Sequence, residues 1–305
     1  MSILLFFFLA ICLPELMLCT EKAEALHEIN LHTSNYSVSK AYTRIIGGKQ
    51  AFQGEYPWQA ALVWPDKSRG IFCGGSLIKP SWVLTAAHCV LKEDGSFERF
   101  LVRMGAYKTD PDIERFPRYG QEFSVLSITV HPDYDSDTFS NDVALVRLNG
   151  RARKTKYVKT VALPMGAEAK RLRPYQACVV TGFGDVDEKG TSPKNLQQVH
   201  VNVAEQAYCA DLYEQMGHQI DDSMICAGKI GGKYDTCQGD SGGPLVCRHD
   251  PPKKANKKKK NFYLKTKFLH GVVSWRIECG QPKQYGVYAN VTYFVPWINQ
   301  VINNA

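Results

Sequence analysis

From Ile45 onward the chain alternates between short apolar, β-branched runs and breaks of glycine, proline and polar residues. Trp58–Val63, Gly75–Ile78, Val143–Leu148, Cys178–Thr181 and Phe268–Trp275 are such runs, each about the length of one strand. Many short strands punctuated by turn residues predict an all-β sandwich or barrel. Only Val295–Ile302 has the spacing of a helix, with Pro296 suited to its first turn, where a missing N–H is harmless. The front of the chain differs. Ile3–Leu13 is one unbroken apolar run stopped by Pro14 and Glu15, the length of a signal-peptide core and too short to span a bilayer, though no Lys or Arg precedes it. Residues 1–19 therefore read as a signal peptide, with cleavage near Cys19 or after Ala23-Glu24-Ala25, so that its end falls between 19 and 25. Residues 20–44 are polar and without period, as a pro-segment is, and 45–305 form the folded part. No later stretch is apolar enough to be a membrane anchor, so the expected location is secreted and extracellular.

Composition adds limits more than identity. A hydrophobic content of 44% in 305 residues is ordinary for a chain with a sizeable core, and a formal charge of +7 favours acidic partners only weakly. Ten cysteines, less Cys12 and Cys19 near the leader, leave Cys73, Cys89, Cys178, Cys209, Cys226, Cys237, Cys247 and Cys279. An even number in a secreted chain implies disulfides, whose pairing does not follow from counting. No CxxC pair or His/Cys cluster has metal-ligand spacing, and neither a metal nor another cofactor is expected.

Three motifs supply the parts of one reaction. Thr85-Ala86-Ala87-His88-Cys89 offers a base, Asn141-Asp142-Val143-Ala144-Leu145 a carboxylate, and Gly239-Asp240-Ser241-Gly242-Gly243-Pro244 a hydroxyl. A serine hydroxyl attacks at neutral pH only if a histidine takes its proton, and a buried carboxylate must hold that histidine in the right tautomer. The order His, Asp, Ser separates this chain from the subtilisin and α/β-hydrolase arrangements. With these motifs in this order, residues from Ile45 to the C-terminus resemble the chymotrypsin/trypsin family of serine endopeptidases.

The resemblance implies two six-stranded antiparallel β-barrels packed together, with a C-terminal helix and the catalytic groups His88, Asp142 and Ser241 at the junction. It implies the disulfides Cys73–Cys89, Cys178–Cys247, Cys209–Cys226 and Cys237–Cys279, which leave no cysteine to retain the pro-segment. The backbone N–H groups of Gly239 and Ser241 would form the oxyanion hole, where each donor is worth on the order of a hundredfold in rate. Ser274 would help fix Asp142, and Ser274, Trp275 and Arg276 would offer a strand edge to the substrate backbone. Arg44-Ile45-Ile46-Gly47-Gly48 resembles an activation site: an activating protease cuts after Arg44, and the new Ile45 ammonium settles beside Asp240. Asp235 would floor the specificity pocket, with Gly286 keeping one wall small, and so select Arg or Lys in protein and peptide substrates. The calcium-binding carboxylate of some trypsins is replaced here by Ala106.

Two departures bear on this reading. Where trypsin-like members usually carry glycine, this chain has Arg276 and Glu278; residues two apart on a strand share a face, so an exposed ion pair along the pocket rim is the first expectation. The alternative is that Arg276 leans inward toward Asp235 and restricts the pocket. The second departure is the insertion Pro251–Lys260, in which Lys253, Lys254, Lys257, Lys258, Lys259 and Lys260 stand close together. It reads either as a solvated loop tip or as a site for heparin-like glycans, with Arg151, Arg153, Lys154 and Lys156 as a second basic stretch. Nucleic acid is not an expected partner, because no binding module is recognised. Asn35 and Asn290 stand in N-glycosylation acceptor patterns. The remaining histidines read as surface or packing residues. The rival to an active endopeptidase is a weakly active or inactive protein of the same fold that binds sulfated glycans; the complete catalytic set argues against it, and the charged rim against a nonspecific digestive enzyme.

Overall fold

The computed structural model describes residues 48–66, 70–109, 119–165, 172–185, 191–229, 240–249, 256–257, 266–277 and 284–305. Strands β2 (Gln59–Val63), β3 (Ile71–Lys79), β4 (Trp82–Thr85), β5 (Leu101–Met104), β6 (Gln121–Val130) and β7 (Ala144–Leu148) close into an antiparallel barrel in the order β2-β3-β4-β7-β6-β5. Strands β8 (Ala177–Gly182), β9 (Gln197–Val203), β10 (Met224–Gly228), β11 (Pro244–Arg248), β12 (Lys267–Trp275) and β13 (Gly286–Asn290) form a second, in the order β9-β10-β13-β12-β11-β8. Pairing of β8 with β9 closes it, and the short β1 (Lys49–Gln50) adds to the start of β9.

Side-chain alternation explains which faces turn inward. Along β9, Val199, Val201 and Val203 are buried while His200 and Asn202 face solvent, the two-residue period of a half-covered strand. By contrast β2 and β4 are buried at every residue, because neighbours cover both of their faces. One hydrophobic cluster runs through both halves, joining Leu62, Leu84 and Leu145 to Val246, Leu269 and Phe294. Each such fully buried side chain contributes about 1.5–3 kcal/mol relative to exposure.

Three disulfides are present among the described residues. Cys178–Cys247 links directly opposed residues of β8 and β11, while Cys73–Cys89 ties β3 to the 3-10 turn Ala87–Cys89. Cys209–Cys226 anchors helix α1 (Gln206–Glu214) to β10. The expected Cys237–Cys279 bridge lies outside the described residues.

Helix formation departs from the sequence expectation in two places. The C-terminal helix α2 spans Val291–Asn303, so Pro296 sits in its second turn and not its first. Its ring removes one intrahelical hydrogen bond to Thr292, a loss outweighed by burial of Val291, Phe294, Val295 and Ile298 on one stripe. Helix α1 is not legible in the sequence, because only Cys209 and Tyr213, four residues apart, point inward. What holds it is tertiary: the disulfide, and the Tyr213 hydroxyl donating to the Tyr285 carbonyl.

Candidate active site

His88 lies in the 3-10 turn after β4, and Asp142 just before β7, the strand paired with β4. That pairing brings together residues 54 positions apart. His88 Nδ1 is 2.7 Å from Asp142 Oδ2, and the His88 backbone N–H donates to Asp142 Oδ1 at 3.0 Å. From the second barrel, the Ser274 hydroxyl on β12 donates to Asp142 Oδ2 at 2.5 Å. Asp142 and Ser274 are buried, whereas the His88 side chain keeps 22% of its surface exposed, enough to meet a ligand.

Two opposing effects act on each member of this pair. Burial alone would lower the His88 pKa, but the Asp142 charge and hydrogen bond outweigh it and leave the imidazole raised above its ordinary value. Burial would likewise raise Asp142, but His88 and the donors around the carboxylate hold it below the usual range. Tyr134 nearby is kept protonated by burial and then by the charges of Asp142 and Asp135. Nδ1 is thus committed to an ionised Asp142, while Nε2 lies 3.8 Å from the Cys89 Sγ.

Ser241 stands at the turn into β11 with 9% of its surface exposed. Both barrels grip this turn: from the first, Gly74 N–H on β3 donates to the Ser241 carbonyl at 2.7 Å, and within the second, Gly242 N–H donates to the Val273 carbonyl of β12 at 2.8 Å. Gly242 has φ +76, and a Cβ there would lie 2.2 Å from Thr85 Oγ1 and 2.5 Å from the Gly74 carbonyl oxygen. Glycine is required twice over, for the backbone conformation and for the space. Asp240 is completely buried; its Oδ1 accepts the Gly184 N–H at 3.0 Å, and a side chain at Gly182 would overlap it.

Trp275 is buried and its ring packs edge-on against Tyr213, with His218 nearby. Gly286 begins β13, whose Val287 pairs with Trp275. Arg276 corrects the sequence expectation of an exposed rim pair, because it is only 3% exposed. A guanidinium that has left water is not a solvated rim group; Asp235, toward which the alternative has it lean, lies outside the described residues. Arg44, Ile45, Asp235, Gly239, Cys237, Glu278, Cys279, Asn35, Lys253, Lys254 and Lys258–Lys260 lie outside the described residues. Asn290 Nδ2 donates to the Asp222 carbonyl at 3.1 Å at the end of β13.

Several contributors are not visible in the sequence. Thr85 Oγ1 donates to the Gly74 carbonyl at 2.8 Å beneath the serine turn. Phe139 and Asn141 both adopt left-handed backbone (φ 56 each) just ahead of Asp142, and the Phe139 ring meets His88 edge-on. Asp221 and Ser223 hold that segment from across the barrel junction, through Ser140 and the Asn141 backbone. His249 and His270 form a buried histidine pair, Nε2 to Nε2 at 2.6 Å. Taken singly, each of these residues is an ordinary packing or turn residue.

Two closed antiparallel barrels, with a His–Asp pair carried by one and a serine turn by the other, define a serine-hydrolase class of site. The Trypsin family model matches residues 45–298, and the chain belongs to this family of serine proteases. It is 35% identical to human "Serine protease 41" over 266 residues, covering 86% of this chain and 77% of that protein. "Vitamin K-dependent protein C" of Rattus norvegicus is 35% identical over 85% of this chain, which spans 52% of that relative. "Protein masquerade" of Drosophila melanogaster is 35% identical over 88% of this chain, which spans 24% of its length.

Proposed function

We propose that this protein is a secreted zymogen of a serine endopeptidase that cleaves peptide bonds after Arg or Lys once it is itself cut after Arg44. The observation that carries the reading is the short His88–Asp142 contact, which engages one ring nitrogen while part of the His88 ring stays open to solvent. In this mechanism His88 Nε2 takes the proton of Ser241 Oγ as that oxygen bonds to the scissile carbonyl carbon. The resulting oxyanion is met by the backbone N–H groups of Gly239 and Ser241. His88 then returns the proton to the leaving amine, and water, deprotonated by the same imidazole, releases the acyl group. Asp142 stays ionised throughout and keeps the tautomer fixed.

Activation by the new Ile45 ammonium is supported by the complete burial of Asp240, a carboxylate whose desolvation a nearby cation offsets. Arg/Lys selection rests on Asp235. Replacing Arg44 with a site for an added protease, cutting, and treating with a fluorophosphonate tests the chemistry: wild type labels and Ser241→Ala does not. A peptide library then reads the preferred side chain, and an apolar preference overturns the Arg/Lys assignment.

A second reading is favoured by one observation, the burial of Arg276 beside Trp275. It is a protein of the same fold with a restricted pocket and weak activity, held to anionic glycans. Exposed Arg151, Arg153, Lys154 and Lys156 follow one another along a connector without an acidic residue. Lys154 also joins Lys79 and Lys159 around a groove of about 530 Å³ floored by Leu77, Val161 and Phe268. Retention on heparin resin that falls steeply with salt, and that weakens when Lys257–Lys260 are neutralised, supports glycan binding. Failure to label with the fluorophosphonate after a verified cut decides for the weakly active form.

A further inference from the structure

The carboxylate of Asp221 belongs to the second barrel, in the turn before β10, yet one of its hydrogen bonds reaches the segment that delivers Asp142 from the first, and the others set the Ser223 hydroxyl that holds the same segment. Its Oδ2 accepts the Ser140 hydroxyl. Its Oδ1 accepts both the Ser223 hydroxyl, at 2.5 Å, and the Ser223 backbone N–H, at 2.8 Å. With its proton committed to Asp221, the Ser223 oxygen turns a lone pair outward and accepts the backbone N–H of Asn141 at 3.0 Å. Asn141 Nδ2 closes the loop on Ser140 Oγ at 3.2 Å and on the Asp133 carbonyl at 3.0 Å. Ser223 is itself buried and pinned at its carbonyl by the Asn290 N–H.

What this network holds is unfavourable by itself. Phe139 and Asn141, on either side of Ser140, both have φ of 56°, a conformation that non-glycine residues persist in only when surroundings over-determine it. The next residue is Asp142, and Phe139 packs on the His88 ring. Relaxing Asn141 toward ordinary backbone redirects the chain at the α-carbon of Asp142, and a shift there moves the carboxylate against Nδ1.

Resting on the catalytic reading of His88, Asp142 and Ser241, we infer that Asp221 is a positioning residue of the reaction: from the opposite barrel it locks the left-handed Phe139–Asn141 segment and thereby the alignment of Asp142 with His88. It touches neither substrate nor reacting atoms. Its loss therefore weakens the step that needs an aligned imidazole while leaving substrate binding nearly unchanged.

The test compares Asp221→Ala, Asp221→Asn and the milder Ser140→Ala with wild type, all cut after Arg44, using one peptide substrate and one-dimensional NMR titration of the His88 ring. For Asp221→Ala a fall in kcat of about 10- to 100-fold is expected, since misplacements near 1 Å cost on the order of a hundredfold, with KM within about twofold. The His88 titration midpoint should move down by about half a pH unit or more, as the aligned Asp142 charge that raises it is displaced. Asp221→Asn, which keeps one acceptor for Ser223 and lets its amide donate to Ser140, should recover most of both losses. Unchanged kcat and an unchanged His88 midpoint in a folded Asp221→Ala protein overturn the inference, whatever happens to its melting temperature. If Asp221→Ala does not fold, Ser140→Ala is measured by the same two readouts, and the same outcomes support or overturn the inference. If wild type does not turn over substrate, the catalytic reading fails separately, and the His88 midpoint alone decides the positioning of the pair.

Discussion

Replacing Gly242 with alanine separates the strain of the serine turn from the space it needs. Gly242 has φ +76, and Gly95, in an exposed turn, has φ +78. The left-handed conformation penalises a Cβ by about 1–2 kcal/mol at either position. At Gly95 a Cβ meets nothing within 4 Å, so the penalty is all that Gly95→Ala incurs. At Gly242 it would sit 2.5 Å from the Gly74 carbonyl oxygen, against the 3.4 Å at which ordinary contact begins. That oxygen belongs to a barrel strand and already accepts the Thr85 hydroxyl, so it does not yield. The Ser241 turn must instead retreat by about 0.9 Å, and a misplacement of that size costs roughly a hundredfold in rate, or about 2.7 kcal/mol of barrier. Overpacking adds about 1–3 kcal/mol of destabilisation to the backbone strain. Fluorophosphonate labelling rates after the activating cut, with urea unfolding alongside, read both quantities. Gly242→Ala is expected to label about a hundredfold more slowly and to lose more stability than Gly95→Ala, which labels normally. Labelling of Gly242→Ala within about threefold of wild type, or an equal loss in Gly95→Ala, refutes the claim that the first barrel sets the nucleophile.

Three further outcomes follow from the same geometry. Asp142→Asn presents an amide to Nδ1 and removes the charge that raises the His88 pKa; kcat at neutral pH should fall by about 10⁴, and the acid limb of the pH–rate profile, which in wild type lies above the ordinary imidazole value because only neutral His88 accepts a proton, should move down. His270 is lowered to about 3 by burial and then by the charge of His249, so the unfolded chain takes up its proton first. Stability from this residue is full above about pH 6.5 and falls by up to about 1.36 kcal/mol per unit as the pH drops toward 3, a slope that His270→Gln should flatten in melting curves. Replacing Cys178 and Cys247 by serine opens a covalent loop of 69 residues, for which chain entropy predicts about 4 kcal/mol lost in urea unfolding; an unchanged midpoint counts against the entropic account.

Strands β2, β3, β7, β8 and β12 are legible as short apolar runs bounded by turn residues, whereas the period of two shows only where one face is covered, as in β9, and not in β2 or β4, which are buried throughout. The apolar run Phe268–Trp275 falls one residue short of β12, which begins at Lys267. Helix α1 escapes such rules, since its stability comes from a disulfide and one tyrosine and not from an apolar stripe. Arg276 departs from expectation for a related reason. Sequence spacing describes neighbours on one strand, and an exposed pair with Glu278 is the natural outcome if the strand edge is wet. Burial at that edge is a tertiary fact. The histidine pair His249–His270 is invisible in the sequence because 21 residues and an insertion separate its members along the chain. His88, Asp142 and Ser241 can be picked out because the proposed reaction demands those residue types, but nothing in their spacing announces Thr85, Asp221 or Ser223.

Those supporting residues share a topology that explains why two barrels are needed at all. The serine turn belongs to the second barrel but is held by Gly74 and Thr85 of the first. Asp142 belongs to the first but is held by Ser274 directly, and through Asn141 by Ser223 and Asp221, all of the second. Each half thus fixes the other half's reacting group. Further bonds across the junction, Thr181 Oγ1 to Gln59 Oε1 at 2.6 Å and the Tyr56 hydroxyl to Gln198 Oε1 at 2.6 Å, are buried, where an unpaired partner costs about 1–3 kcal/mol. A small relative slip of the barrels therefore breaks buried hydrogen bonds and misaligns Ser241 and His88, the proposed nucleophile and base, together. Such a device favours one docked arrangement over a continuum of loose ones, and it makes alignment of the reacting groups a property of the junction more than of any single loop.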